Sequence, residues 1–441
     1  MRRSAAGIVL LVALVGMHAM PTMAAEVAFQ TGFHYDWWRS DDGSVGEQIL
    51  VPYLTECSVQ DFSLKILGGY AWTRSRLEFP EGTALFRAVG SRDHVTSVVS
   101  GVLDTKVNLS YDPSERLPFG LLLGLDFNLP TGQTKFRDSK DTFLVLDPDL
   151  VSVSSLGEGF NINPNIVLTK EWNDQWTTGV GFGYAWRGDY KRYLFPQVLL
   201  GSGTVILGDP RLNDIDPGDV LSVAPEVRYY LNEAWTVRLF FNYSHFGSQE
   251  VEGRDVFQPG DHYLAGVGLS HSAGKWASHA TLSAIFRGDP SVGSENVLGV
   301  GSSALTTVNP FAEGNEVVAE LGTGYSFDDK TTLQSQLSFR YLYDANLPES
   351  VSETQFYVDQ RKLVSLQLAL IRKLIPHLDA EVSLKGLYMH DDETLVLRQS
   401  VFRREGRDEL ERDFAGISVG FKLTGRSEEH TSELQSRFGI S

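Results

Sequence analysis

His390, Asp391 and Asp392 stand side by side in the stretch YMHDDE, and an imidazole beside two carboxylates is a grouping that can pass protons. Catalysis would also need a second acidic pair brought in from a facing segment, and the chain offers none at a matching position. The triplet therefore reads as the solvated start of a loop, and no catalytic residue is expected. Two other stretches, LNDIDPGD (Asp214, Asp216, Asp219) and LDPDL (Asp147, Asp149), present the hard oxygens that calcium takes. Neither has the spacing or the glycine of a complete calcium loop, and Asp, Pro and Gly are ordinary turn chemistry, so no metal and no cofactor are expected. GVGFGY (Gly179, Gly181, Gly183) has no following helix to cradle a phosphate, and its glycines relieve a crowded face.

Elements must hold these residues, and composition narrows which. Among 441 residues, 56 are acidic and 38 basic, a net charge of -18 that opposes a nucleic-acid partner. Cys57 is alone and can form no internal disulfide. MRR, the apolar GIVLLVALVG and the small-residue TMAAE form a signal peptide over residues 1–25, so the chain is expected to be exported. No other segment is apolar for long enough to cross a membrane as a helix.

From Val27 the period is two. VAFQTGFHYDWW sets Val27, Phe29, Phe33, Tyr35 and Trp37 against Gln30, His34 and Asp36, and FGLLLGLDFNL sets Phe119, Leu121, Leu123, Leu125 and Phe127 against Gly120, Gly124 and Asp126. Such runs last about 11 to 15 residues, where soluble strands usually stop near six; a tilted strand crossing a bilayer needs roughly 9 to 11. Aromatics gather at run ends (Trp37, Trp38, Trp172, Trp176, Trp186, Trp235, Tyr341, Tyr343), as interface belts do. The expectation is an all-β, closed, antiparallel transmembrane β-barrel of about 16 strands (14 to 18) spanning 26–425. Its strands fall near 27-38, 47-56, 61-76, 93-111, 117-129, 159-172, 175-187, 218-231, 234-247, 261-273, 275-287, 315-327, 331-344, 360-373, 377-390 and 412-424.

Connections alternate between short (CSVQ, NDQ, NE, AG, DDK) and long (130-158, 188-217, 288-314), the habit of outer-membrane barrels with short periplasmic turns. Two long ones are unusually apolar, YLFPQVLLGSGTVIL (Tyr193 to Leu207) and FLVLDPDLVSV (Phe143 to Val153). Each folds inward as a constriction or extends the wall as a hairpin, and the hairpin around GSG is the preferred reading.

The inner face carries both signs of charge: Asp104, Lys106, Asp126, Glu171, Glu226, Arg228, Arg238, Glu316, Glu320, Arg340, Glu381 and Lys385. Facing lipid they would be costly, so they face water or one another. They stiffen the wall, line a hydrated path, or do both. Parity alone puts Asp126, Glu226, Arg228, Arg238 and Arg340 forward as lumen residues that set selectivity.

GVLDTKVNLSY and FGLLLGLDFNLPTG, with Gly101, Asp104, Leu129, Pro130, Thr131 and Gly132, resemble the outer-membrane family of MetA-pathway phenol degradation, transporter-like proteins. The resemblance continues through Leu156 to Tyr190 and Pro217 to Tyr243. It implies an outer-membrane channel for passive uptake of small solutes, aromatic or hydrophobic compounds among them. The alternative is a non-transport surface barrel, an adhesin or structural protein acting through its outer loops. Expected partners are outer-membrane lipid and lipopolysaccharide, a small-molecule permeant and the barrel assembly machinery, with the barrel a monomer or trimer.

The end of the chain breaks the pattern. After GISVGFKLT comes a polar stretch without periodicity, and Arg426 to Gln435 (RSEEHTSELQ) is similar to the translation of a widely used sequencing adapter. Residues 426–441 are therefore expected to be a non-native tail.

Overall fold

A chain that alternates between apolar and polar for its whole length can satisfy its backbone in lipid only by pairing strands into a closed ring. The computed structural model describes residues 26–78, 94–135, 146–194, 197–199, 205–207, 211–288, 291–292, 314–343, 355–399 and 404–427. Sixteen wall positions are filled by β1 (Glu26–Ser40), β2 (Val45–Val59), β3 (Phe62–Glu78), β4 (His94–Val102 and Thr105–Tyr111), β5 (Gly120–Leu129), β6 (Asn161–Asn173), β7 (Trp176–Arg187), β8 (Val220–Tyr230), β9 (Trp235–Phe246), β10 (His262–Ala273), β11 (Trp276–Arg287), β12 (Asn315–Ser326), β13 (Thr331–Tyr343), β14 (Gln355–Ile375), β15 (Leu378–Gln399) and β16 (Arg404–Arg426). Each pairs antiparallel with its sequence neighbour. β1 then pairs with β16, from Ala28 opposite Arg426 to Ser40 opposite Phe414, and the sheet closes on itself. Sixteen tilted strands about 4.8 Å apart give a backbone radius of roughly 16 Å.

The outward face is apolar. Phe29, Val51, Leu123, Phe182, Leu239, Leu282, Leu321, Leu366, Leu384 and Val419, drawn from ten strands, are all exposed. An apolar surface continuous around a ring is a lipid-facing band, and the chain is a transmembrane barrel. At the short-turn end, aromatic pairs sit across adjacent strands: Trp176 with Tyr229 (4.5 Å between ring centroids), Trp235 with His271 (4.3 Å) and Trp276 with Tyr325 (4.6 Å).

Trp38 departs from the expected belt. It points inward and is 1% exposed, with Gly46 directly opposite leaving room for its indole. Parity explains this: Trp37 faces lipid, so its neighbour must face the lumen.

β4 is interrupted at Leu103–Asp104, where one continuous strand was expected. Tyr70 is opposite Val102, while Leu67 is opposite Lys106, so four steps on β4 match three on β3. That extra residue is a bulge, and it flips parity. Above it Val98 and Val102 face out; below it Leu109 does, and Asp104 and Lys106 both turn to the inner face.

β14, β15 and β16 run to 21, 22 and 23 residues, far beyond the expected spans. Their pairing continues past Asp391 and Asp413 up to Gln399 opposite Arg404. The charged alternation there looked like loop, but strands above a membrane need no apolar face.

Residues 1–25 lie outside the described residues, as do 428–441. Ser427 donates its N–H to the Val27 carbonyl (2.8 Å), so pairing reaches two residues into the segment read as non-native.

Candidate functional site

Between β5 and β6 the chain turns into the barrel. Asp147 starts the turn: its carboxylate accepts the Asp149 N–H (2.9 Å) and its carbonyl accepts those of Leu150 and Val151 (3.0 Å each). Leu150 and Val151 are then buried against Trp38, Leu363, Leu387, Met389 and Phe414 of β1, β14, β15 and β16. The strip continues over β1 to β4. Ser152 N–H donates to Asp36 (2.8 Å), Gln48 clasps the Val153 backbone on both sides (2.8 and 2.9 Å), and Leu156 packs on Leu50, Ala71 and Val99. Of the two apolar stretches expected to be hairpins, this one is the constriction. In the other, Gln197–Leu199 pairs with Val205–Leu207 as the expected hairpin, but Tyr190–Leu194 pairs with Arg211–Asp216 in a separate five-stranded sheet.

Asp147 and Asp149 are held by arginines. Arg361, 2% exposed, donates Nε and Nη2 to the two oxygens of Asp391 (2.7 and 2.6 Å) and Nη1 to Asp147 and Asp149 (2.8 Å each). Arg340 repeats the arrangement, with Nε and Nη2 on Glu316 (2.6 and 2.9 Å) and Nη1 on Asp149 (2.5 Å). Arg287 supports Glu316 from β11 (3.1 Å). Among the described residues the cluster joins four carboxylates to three guanidiniums, one negative charge in excess. Burial accordingly pushes the Asp147 carboxyl up; Arg361 opposes this, and Asp149 and Asp391 add to it.

The family-motif residues meet at the same loop. Asp104 accepts from the Asn128 amide (2.7 Å), Gly132 N–H (2.7 Å) and Glu158 N–H (2.6 Å). Thr131, just past Leu129 and Pro130, accepts from Thr105 N–H (2.8 Å) and donates to Leu103 O (3.0 Å). A Cβ on Gly132 would strike the Leu156 carbonyl, whereas at Gly101 it would meet only Gln133 at 3.5 Å. The motif is thus a clasp that ties both ends of the inward loop to the bulge in β4. Its signal was present in the sequence, but its role was not.

Asp126 lies on the inner face among three amides, Asn108, Asn163 (3.4 Å) and Asn165 (3.0 Å). Glu226 joins Arg228 (2.5 Å) and Arg238 (2.8 Å), and the Arg238 guanidinium lies 4.6 Å from the centre of the Phe240 ring. These groups sit apart from Arg340, so the five residues form three separate patches. Glu171 is exposed near the short turn after β6. Of the proton-passing triplet, Asp391 belongs to Arg361, and His390 bridges Asp413 (2.8 Å) and Asp392 (3.2 Å). Among the described residues no group of three or more His, Cys, Asp or Glu is arranged to hold a metal ion.

A tripeptide repeats at the long-loop end of the wall. Pro217-Gly218-Asp219 and Pro259-Gly260-Asp261 each precede a strand entering the membrane. Asp219 accepts from Tyr184 and from Arg187 N–H (3.0 Å), and Asp261 from Tyr243 (2.9 Å) and His245 (2.7 Å); their carbonyls accept Gly247 and Gly288 N–H (2.8 Å each). Against the upward push of burial, His245 and Tyr243 hold the Asp261 carboxyl below its usual range. Asp214, in the same stretch as Asp219, meets Lys191 (3.3 Å).

No family model matches the chain, and no curated protein matches it. Among solved structures, an anion-selective porin from Comamonas acidovorans is 13% identical over 92% of this chain and 99% of its own, with a TM-score of 0.37. The P. putida toluene transporter TodX is 10% identical over 93% and 92%, at 0.33, and the CymD monoaromatic hydrocarbon channel 11% over 98% and 95%, at 0.34. The closed ladder from β1 to β16 establishes the barrel by itself.

Proposed function

We propose that the protein is a passive channel of an outer membrane, admitting small solutes through the part of the lumen that the inward loop leaves bare. The observation that supports it is the seat of that loop. Its described contacts fall on β13 to β16 and β1 to β4, while the Glu226–Arg228–Arg238 group on β8 and β9 lies outside those contacts. A lumen of roughly 16 Å backbone radius, narrowed on one side, remains hydrated and size-selective. Export by the signal peptide over 1–25, assembly in the outer membrane and passage of aromatic or hydrophobic compounds belong to the same reading.

Purified, refolded protein in a planar bilayer tests it. Discrete conductance steps that scale with salt are expected. A silent bilayer, from protein whose heat-modifiable gel mobility proves it folded, would sink the channel and favour a surface barrel acting through its outer sheet.

A further inference from the structure

We propose that Arg340 and Arg361 form a receptor for the carboxylate of a small apolar acid, and that Asp149 with Leu150 and Val151 occupies it at rest as an internal stand-in. The proposal rests on the channel reading only in making such an acid the permeant.

Both guanidiniums are fixed from behind. Glu316 takes the Nε–Nη2 edge of Arg340, and Asp391, itself 1% exposed, takes the same edge of Arg361. Two wall carboxylates, independent of the loop, therefore set the orientation of both arginines. Each turns its Nη1 to the loop, and the two Nη1 groups close on one carboxylate: Oδ1 of Asp149 goes to Arg340 (2.5 Å) and Oδ2 to Arg361 (2.8 Å), whose Nη1 also holds Asp147 (2.8 Å). A single carboxylate held by one oxygen on each of two arginines is the geometry of a carboxylate site.

The neighbourhood fixes the rest of the ligand. Immediately after Asp149, Leu150 and Val151 lie on the apolar wall of Trp38, Leu363, Leu387, Met389 and Phe414. Acid group followed by hydrocarbon is the order in which the loop is laid down, and an aromatic or aliphatic monocarboxylate presents the same order. Charge agrees. Among the described ion pairs, the wall without Asp147 and Asp149 holds Arg287, Arg340 and Arg361 against Glu316 and Asp391, one positive charge that an anion would balance.

Sodium benzoate is the probe and benzyl alcohol its neutral counterpart, titrated calorimetrically into the detergent-folded full chain at neutral pH. The Asp147→Asn/Asp149→Asn variant keeps the loop's shape and removes its charge, so benzoate is expected to bind at least ten times more tightly than to the parent protein. Adding Arg340→Gln should cancel that gain, and benzyl alcohol should bind all three alike. Equal benzoate affinity in the parent and the double variant overturns the proposal, as does a gain that survives Arg340→Gln or one that benzyl alcohol shares. Binding in micelles needs no conductance, so a silent bilayer with the expected titration would remove the channel and leave the receptor.

Discussion

Arg361 and Asp149 lie 212 positions apart in the chain and 2.8 Å apart in the lumen. The loop's apolar side chains could pack on many surfaces, whereas its two carboxylates meet Arg340 and Arg361 on β13 and β14. The pair converts an inward-turning loop into one with a defined seat.

Replacing Asp149 with Asn should loosen that seat. Two charge-assisted hydrogen bonds are weakened, partly offset by relief of repulsion from Asp147, for a net cost of about 2 kcal/mol, or roughly thirtyfold in the seating equilibrium. Single-channel recording should show higher mean conductance in Asp149→Asn than in the parent. Unchanged conductance would mean that the seated loop does not limit flow.

Acid should act in the opposite direction. The Asp147 carboxyl is raised by burial, so the seated loop binds its proton more tightly than the free loop does. A raised group contributes stability that is full below its unfolded value and is lost as pH rises through its folded value. Conductance is therefore expected to fall as pH is lowered into the carboxylate range, with Asp149, Asp391, Glu316, Arg287, Arg340 and Arg361 as the surrounding charges. Asp147→Asn should flatten that dependence, and a dependence that survives it points to another group.

How much of this was legible in advance differs by residue. Period-two alternation places Leu239 in lipid and Arg238 in the lumen whatever the partner strand, which is why all sixteen wall positions could be read from one chain. Pairing across the lumen has no such period. Nothing near Asp149 in sequence names Arg361, and LDPDL looks the same whether it caps a turn or docks on a far wall. Trp38 shows the intermediate case: parity turns it inward, but its burial depends on Leu150 and Val151 arriving from elsewhere.

The clasp gives a stability prediction. Asp104→Ala would leave the Gly132 and Glu158 N–H groups and the Asn128 amide without their shared acceptor, a loss of about 3 kcal/mol. Gly132→Ala forces a Cβ into the Leu156 carbonyl and should act in the same direction. Both variants should lose heat-resistant gel mobility at lower temperature than the parent, and a loss confined to Asp104→Ala would show that the Gly132 backbone can yield.

Two glycines share one backbone angle and differ in surroundings. Gly218 and Gly253 both have φ of +71°, but a Cβ at Gly218 would lie 2.6 Å from the carbonyl oxygens of Gly247 and Ser248, whereas nothing lies within 4 Å at Gly253. Gly253→Ala should cost only the left-handed penalty, about 1 kcal/mol, and Gly218→Ala distinctly more. Melting of the two variants side by side checks this, and equal losses would mean the Pro217-Gly218-Asp219 turn relaxes freely.

Selectivity should answer to Glu226. On the bare side of the lumen this carboxylate neutralises one of two arginines, Arg228 at 2.5 Å and Arg238 at 2.8 Å, and leaves one positive charge. Removing it with Glu226→Gln doubles that local charge while the amide keeps the side chain's volume and one acceptor oxygen. Anions gain from the change and cations lose, with the effect strongest at low salt, where the Debye length is longest, about 10 Å at 0.1 M against about 3 Å at 1 M. The reversal potential across a potassium chloride gradient should shift toward the chloride limit, more at 0.1 M than at 1 M. An unchanged potential would place the selective charges elsewhere, at the loop rather than on β8 and β9.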